Sequence, residues 1–265
     1  MRYDIIVQGG QSNAEGTGCG PVARELPISP NVWYLDAEKT VEVGEDNMII
    51  TYADKPFQIV PAAERVVNGN VTGDFSLTFA EEYEKARLLQ ADRKLLIVRA
   101  AIGGTGFKKN HWGIGKVLYN KLLEMTDYAL SLHPENRVIG FLWHQGEHDA
   151  FEGSEPNEFK AQLTAQLHDF RARYGEDIPF IAGDFAREWK SKNEEICRPI
   201  VQKIRDLTAE EKHCAFVETA DLLSNNETLQ NGDDIHFSRQ SLNLLGERYF
   251  QAFQSIKIIK RGNKS

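Results

Sequence analysis

The sequence predicts an α/β protein in which a five-stranded parallel sheet carries helices on both faces. Two observations lead there. Short apolar runs of the kind found in strands buried on both sides alternate with longer stretches whose apolar residues recur at helical spacing. The chain of 265 residues, 41% hydrophobic and 26% charged, also has the size and composition of an ordinary globular α/β unit.

The strand candidates are residues 3–7, 94–98, 138–143, 179–181 and 214–217. Between them, Phe75, Phe79 and Tyr83, with Ala86 and Leu89, fall on one helical stripe, and Val117, Leu118, Leu122, Met125 and Ala129 form another. Pro156 suits a first helical turn, after which Phe159, Leu163, Leu167 and Phe170 repeat. Ile200, Ile204 and Leu207 mark a helix expected to begin near Pro199. Ser238 is placed to cap a last one with Leu242, Leu245 and Tyr249 on its inner face. Residues 25–73 break the rhythm: they are rich in Pro, Gly and Asn, with strand-like pieces at 32–35 and 49–52. They read as an insertion after the first strand of one domain spanning 1–265.

Charge narrows the function classes. Lys and Arg total 31 against 39 Asp and Glu, a net charge of −8, which argues against phosphate-tracking on nucleic acid and against a membrane-surface role. The basic cluster Lys257, Lys260, Arg261 and Lys264 reads as a frayed, solvated tail. No apolar run reaches membrane-spanning length, and residues 5–7 are too short for a signal-peptide core. Cys19, Cys197 and Cys214 are odd in number, with neither a disulfide framework nor a zinc spacing. The expectation is a cytoplasmic chain without a metal or other cofactor; its oligomeric state is not written in the sequence.

In an open parallel sheet, ligands bind beyond the carboxyl ends of the strands. The segments found there are Gly9-Gly10-Gln11-Ser12-Asn13, then Gly103-Gly104-Thr105-Gly106, Trp143-His144-Gln145-Gly146-Glu147 and Asp233-Asp234-Ile235-His236. Together they supply the parts of an acyl-transfer site. Ser12, at a glycine-led strand exit, offers a hydroxyl, although a serine there more often caps a helix. A serine needs an adjacent base, and His236 can be one, oriented through Nδ1 by Asp233, with Asp234 ranked second. Such a site also needs donors aimed at the developing oxyanion. The N–H groups of Ser12 and Gly103 and the amide of Gln145 are the candidates.

Three patterns fail on inspection. His144-x-x-Glu147-His148 matches the inverted zincin motif, but it follows a strand-like run and Gly146 interrupts it. Gly103, Gly104 and Gly106 do not fit G-x-G-x-x-G, because Lys109 stands where a glycine is required. Ala14 occupies the last position of G-x-S-x-G, which argues against an α/β-hydrolase elbow.

The ordered blocks Gly10-Gln11-Ser12-Asn13, Gly103-Gly104-Thr105, Trp143-x-Gln145-Gly146-Glu147 and Asp233-x-x-His236 resemble those of the SGNH hydrolase superfamily. Within it they are most similar to carbohydrate esterase family 6 and the sialic-acid-specific acetylesterases. The resemblance spans residues 10–236 and implies a flavodoxin-like three-layer α/β/α sandwich that removes O-acetyl groups from sugars without metal. It implies Ser12 as nucleophile, His236 as base, Asp233 as its orienter, and Gly103 and Gln145 as oxyanion donors. Gln11, Asn13, Gly104, Thr105 and Glu147 are expected around the site, Glu147 holding its block rather than reacting.

Trp112, after the glycine block, is either a ring on which a sugar stacks or a core tryptophan. The leading expectation is a serine carbohydrate O-acetylesterase of acetylxylan or sialate type, working through an acetyl-enzyme on an acetylated carbohydrate. A lipase or thioesterase on other acyl esters, and a non-catalytic sugar-binding protein on the same fold, are the alternatives.

Overall fold

Strands sandwiched between two helical layers must be apolar on both sides, and the central strands of this chain are. In β1 (Arg2–Gly10), Ile5 and Val7 face one layer and Ile6 the other, all three fully buried. The same holds for β8 (Arg93–Ala101) and β9 (Arg137–His144). The computed structural model describes residues 1–45, 47–67 and 69–262, the side chains of 257–262 excepted.

All five expected strands form, completed by β10 (Phe180–Gly183) and β11 (Cys214–Val217). The sheet is nevertheless larger than five. The insertion contributes β2 (Val32–Asp36), parallel to β8, and β5 (Gln58–Pro61), antiparallel to β2 at the edge. The order is β11-β10-β9-β1-β8-β2-β5, seven strands in all. An edge strand needs a partner on one side only, so a short, half-buried run such as 58–61 carries little sequence signal.

The rest of the insertion makes two hairpins outside this sheet. One pairs β3 (Lys39–Val43) with β4 (Met48–Tyr52); the other pairs β6 (Arg65–Val67) with β7 (Asn70–Thr72).

One face of the sheet is covered by α2 (Phe75–Lys85) and α9 (Arg239–Gly262), the other by α3 (Val117–Ser131), α5 (Pro156–Tyr174) and α7 (Glu194–Glu210). Pro156 is the first residue of α5, where its missing N–H costs nothing. Ser238 caps α9, its hydroxyl accepting from Ser241 N–H at 3.2 Å. Helix α7, in contrast, begins five residues before Pro199, at Glu194, with the proline inside it. The α2 stripe stops at Lys85, so Leu89 packs from the following turn. The expected frayed tail is helical in its backbone through Gly262; the side chains of Lys257, Lys260 and Arg261, and Lys264 altogether, lie outside the described residues. Among the described residues no helix is long and apolar enough to cross a membrane.

Strand β1 has β8 on one side and β9 on the other, although β8 follows the insertion and β9 comes later still. This is the topological switch point, where the loops leaving three adjacent strands open a crevice. The carboxyl end of β1 stands at its centre.

Candidate active site

The exit of β1 is pressed against that of β9. Gly10 has φ +141, and a Cβ there would lie 2.1 Å from the His144 carbonyl oxygen, so no other residue fits. The chain then enters the four-residue helix α1 (Ser12–Glu15), with Gln11 N–H donating to His144 O at 3.0 Å. The Gln11 side chain accepts from His148 N–H at 3.1 Å and ties the two exits a second time. Ser12 heads α1 with 6% of its surface exposed, and its hydroxyl is not used as a cap.

Asn13 does the joining. Its Nδ2 donates to Glu147 Oε1 at 3.0 Å and to Ile235 O at 3.2 Å, and its Oδ1 accepts from Phe237 N–H at 3.1 Å. The residue after Ser12 thus grips the backbone on both sides of His236. Glu147, fully buried at the start of α4 (Glu147–Phe151), is tied by its Asn13 bond to the helix that carries Ser12. Burial alone would raise its carboxyl, but His144 beside it and the Asn13 amide outweigh that and hold it below the usual range.

His236 Nδ1 lies 2.9 Å from Asp233 Oδ2 and 2.8 Å from Oδ1, which leaves Nε2 as the imidazole nitrogen not engaged by the carboxylate. Asp233 also accepts from Asn225 Nδ2 at 2.8 Å. Burial pushes the Asp233 carboxyl up, yet the bonds from His236 and Asn225 prevail and keep it below its ordinary value. Asp234 is paired with Lys192 at 3.0 Å.

Asn225 was not legible in the sequence. It opens the short helix α8 (Asn225–Leu229), whose capping box of Ser224 and Glu227 fixes its backbone. From there Asn225 N–H donates to His236 O at 2.8 Å and its Oδ1 accepts from Cys19 N–H at 2.8 Å. No motif marks such an asparagine.

Gly103 lies against Ser12, a Cβ built on it falling 3.2 Å from Ser12 Cβ. Its N–H is already engaged: it donates to Glu15 Oε2 at 2.8 Å. Glu15, one helical turn beyond Ser12, carried no signal in the sequence because an acidic residue in a short polar run reads as solvated surface.

One expectation needs correction, and one open alternative is decided. The Gln145 amide is buried, with Nε2 donating to Thr105 O at 3.3 Å and to the Asp149 carboxylate, so its donors are spent within the protein. Trp112 is 1% exposed, edge-on to Trp143 at 4.8 Å, with Nε1 bonded to Thr105 Oγ1; no sugar reaches it. Its partner Thr105 is likewise buried and structural.

The organiser that Gln145 points to is Asp149. It accepts from the backbone N–H groups of Phe107 and Lys108, each at 2.9 Å, and from Ser154 Oγ at 2.6 Å. Gly106 is glycine because a Cβ would sit 2.5 Å from Asp149 Oδ2. Gly104, at φ +69, lies under the methyl of Met48 from the β3–β4 hairpin. His144 ends β9 and His148 lies in α4, so the zincin-like spacing does not share a helical face. Among the described residues, no group of three His, Cys, Asp or Glu side chains is placed to hold a metal ion.

A mostly parallel sheet with its switch point at β1, and a serine-bearing helix fastened to the segment of a histidine–aspartate pair, give the chain a hydrolase-like α/β scaffold. Residues 2–255 match the family described as carbohydrate esterase, sialic acid-specific acetylesterase, and the chain belongs to that family. Over 87 residues it is 31% identical to the probable 9-O-acetyl-N-acetylneuraminic acid deacetylase of Escherichia coli (strain K12), a match spanning 30% of this chain and 27% of that relative. The crystal structure of NanS superposes with a TM-score of 0.71 at 18% identity, over 96% of this chain and 97% of NanS. A protein of Arabidopsis thaliana gives 0.73 at 17% identity, over 96% and 99%. At such identities these two likenesses concern the fold.

Proposed function

We propose that the protein is a serine esterase that removes O-acetyl groups from carbohydrates, with Ser12, His236 and Asp233 as its catalytic groups. The observation that carries this is the grip of Asn13 on Ile235 and Phe237, which fastens the segment bearing His236 beside the helix bearing Ser12. With Nδ1 held by Asp233, His236 turns Nε2 to the serine hydroxyl and takes its proton as Ser12 Oγ attacks the acetyl carbonyl. Asp233, ionised because its carboxyl is held low, stabilises the imidazolium so formed.

The tetrahedral oxyanion rests on the N–H groups of Ser12 and Gly103. To receive it, Gly103 exchanges its bond to the Glu15 carboxylate for one to the acyl oxygen. The imidazolium then protonates the departing sugar hydroxyl, and water, activated by the same base, releases acetate from Ser12. Family membership supports the acetylated carbohydrate as substrate, and the named relative supports a sialate over a xylan.

The test is acetate release from O-acetylated sialic acids, acetylated xylo-oligosaccharides and p-nitrophenyl acetate, with Ser12→Ala as control. Ser12-dependent turnover is expected. Turnover that survives Ser12→Ala removes the assignment.

A further inference from the structure

Beside the catalytic rim lies a cavity of ≈ 310 Å³ that the reaction scheme leaves unused. It opens at the carboxyl end of β2 and is bounded by Tyr34, Asp36, Lys39, Tyr52, Arg65 and Arg99. Lys39 and Tyr52 face each other across the base of the β3–β4 hairpin, whose tip reaches Gly104. The hairpin therefore runs as a wall from this cavity to the glycine loop beside Ser12. Arg65 joins the cavity to the nucleophile, because its Nη2 donates to the carbonyls of Glu15 and Gly16 at the end of Ser12's own helix. A helix rises about 1.5 Å per residue, so the guanidinium stands about one turn from Ser12, within the span of one sugar.

The cavity contains three cations, and their partners differ. Arg99 is neutralised by Asp74, which also accepts from Tyr34 OH at 2.7 Å and is buried. Arg65 spends Nη2 on backbone carbonyls, and its Nη1 is 3.7 Å from Glu15 Oε1, too far for a hydrogen bond. The Lys39 ammonium has no hydrogen-bonded partner among the described residues. The remaining acids do not fill that place: Glu15 is committed to Gly103 N–H, and Asp36 is exposed. A half-buried ammonium without a partner is costly unless an anion completes it. Burial pushes Lys39 below its usual range, with Arg99 and Arg65 adding to the effect and Glu15 and Asp36 opposing it.

We propose that Lys39, with the free edge of Arg65, receives the carboxylate of an acidic sugar in this cavity while the sugar's acetyl ester lies at Ser12. Selection of acidic over neutral acetylated sugars then resides in the hairpin wall, away from the groups that break the ester. This rests on the esterase reading for the meaning of the neighbouring serine, but binding of the acid can be measured without turnover.

The experiment is calorimetric titration of the protein, and of its Lys39→Met and Lys39→Arg variants, with N-acetylneuraminic acid and with its uncharged methyl ester. Wild type is expected to bind the acid about tenfold more tightly than the ester, the worth of one charge-assisted contact. Lys39→Met loses that preference and Lys39→Arg retains it. Equal binding of acid and ester by wild type, absence of binding by both, or a preference that survives Lys39→Met overturns the proposal. Failure of the esterase reading is a separate result, seen as no Ser12-dependent hydrolysis of p-nitrophenyl acetate whatever the titrations give.

Discussion

Asn13 and Glu147, one on the helix that carries Ser12 and the other at the start of α4, share a buried hydrogen bond of 3.0 Å. Every side-chain polar atom of Asn13 is in use, and two of its three bonds go to the backbone flanking His236. Truncation to alanine leaves buried groups unpaired, each costing roughly 1–3 kcal/mol. Asn13→Ala is therefore expected to lower the melting temperature and to reduce kcat on p-nitrophenyl acetate by about a hundredfold or more, with KM little changed. Asn13→Asp places a second carboxylate against Glu147 and should be less stable than Asn13→Ala at neutral pH. Thermal melts beside steady-state kinetics check both.

Asp233→Asn keeps the size of the side chain but offers an amide to His236 Nδ1, which favours the wrong tautomer. A loss in kcat of about 10³–10⁴-fold is expected, as for the equivalent change in other triads. The carboxyl of Asp233 is held below its usual value in the folded protein, so its contribution to stability is present above the unfolded carboxylate pKa of about 4. That contribution disappears as pH falls through the lower folded value. Urea titrations should show wild type more stable than Asp233→Asn at pH 7 and the difference shrinking in strong acid.

Glu15 accepts from Gly103 N–H, the donor assigned to the oxyanion in the proposed mechanism. Its negative charge beside a developing negative charge opposes the reaction, by an amount that falls with the local dielectric. Glu15→Gln, a weaker competitor for Gly103 N–H, is expected to raise kcat on p-nitrophenyl acetate by about three- to tenfold. A fall in kcat with unchanged stability would show that the carboxylate holds the loop in its working position instead.

Gly10→Ala tests the closest packing in the site. The added methyl would meet the His144 carbonyl at 2.1 Å, and φ +141 is strained for any side chain. Neither strand can yield without parting β1 from β9, so a loss of at least ~3 kcal/mol is expected, read from denaturant unfolding. Gly69, also at positive φ but with open space around it, is the control: Gly69→Ala should cost about 1 kcal/mol or less.

Much of this was legible in the chain itself, for reasons that differ between elements. The central strands had to be apolar on both faces, so residues 3–7 and 138–143 announced themselves, as did the stripes of α2, α3 and α5. Asp233 and His236 stand three residues apart and meet across one turn, so their pairing could be read locally. The residues that escaped act at long range. Asn225 and Asp149 make their decisive bonds to backbone in distant segments, and Glu15 to the N–H of a loop 88 positions away. Gln145 was misjudged for the reverse reason, and Trp112 stayed open between two readings. Their chemical types suit a ligand, and only packing decides that they serve the interior.

The β3–β4 hairpin stands outside the seven-stranded sheet, bonded to itself along its length and meeting the glycine loop at its tip. Apart from Ile50 and Tyr52, which pack on the core, its sequence can accordingly change without breaking the hydrogen-bond ladder that aligns the loops after β1, β8 and β9. On the proposed role of Lys39, substrate preference is set on this peripheral ribbon, which makes the ribbon the natural target for altering it.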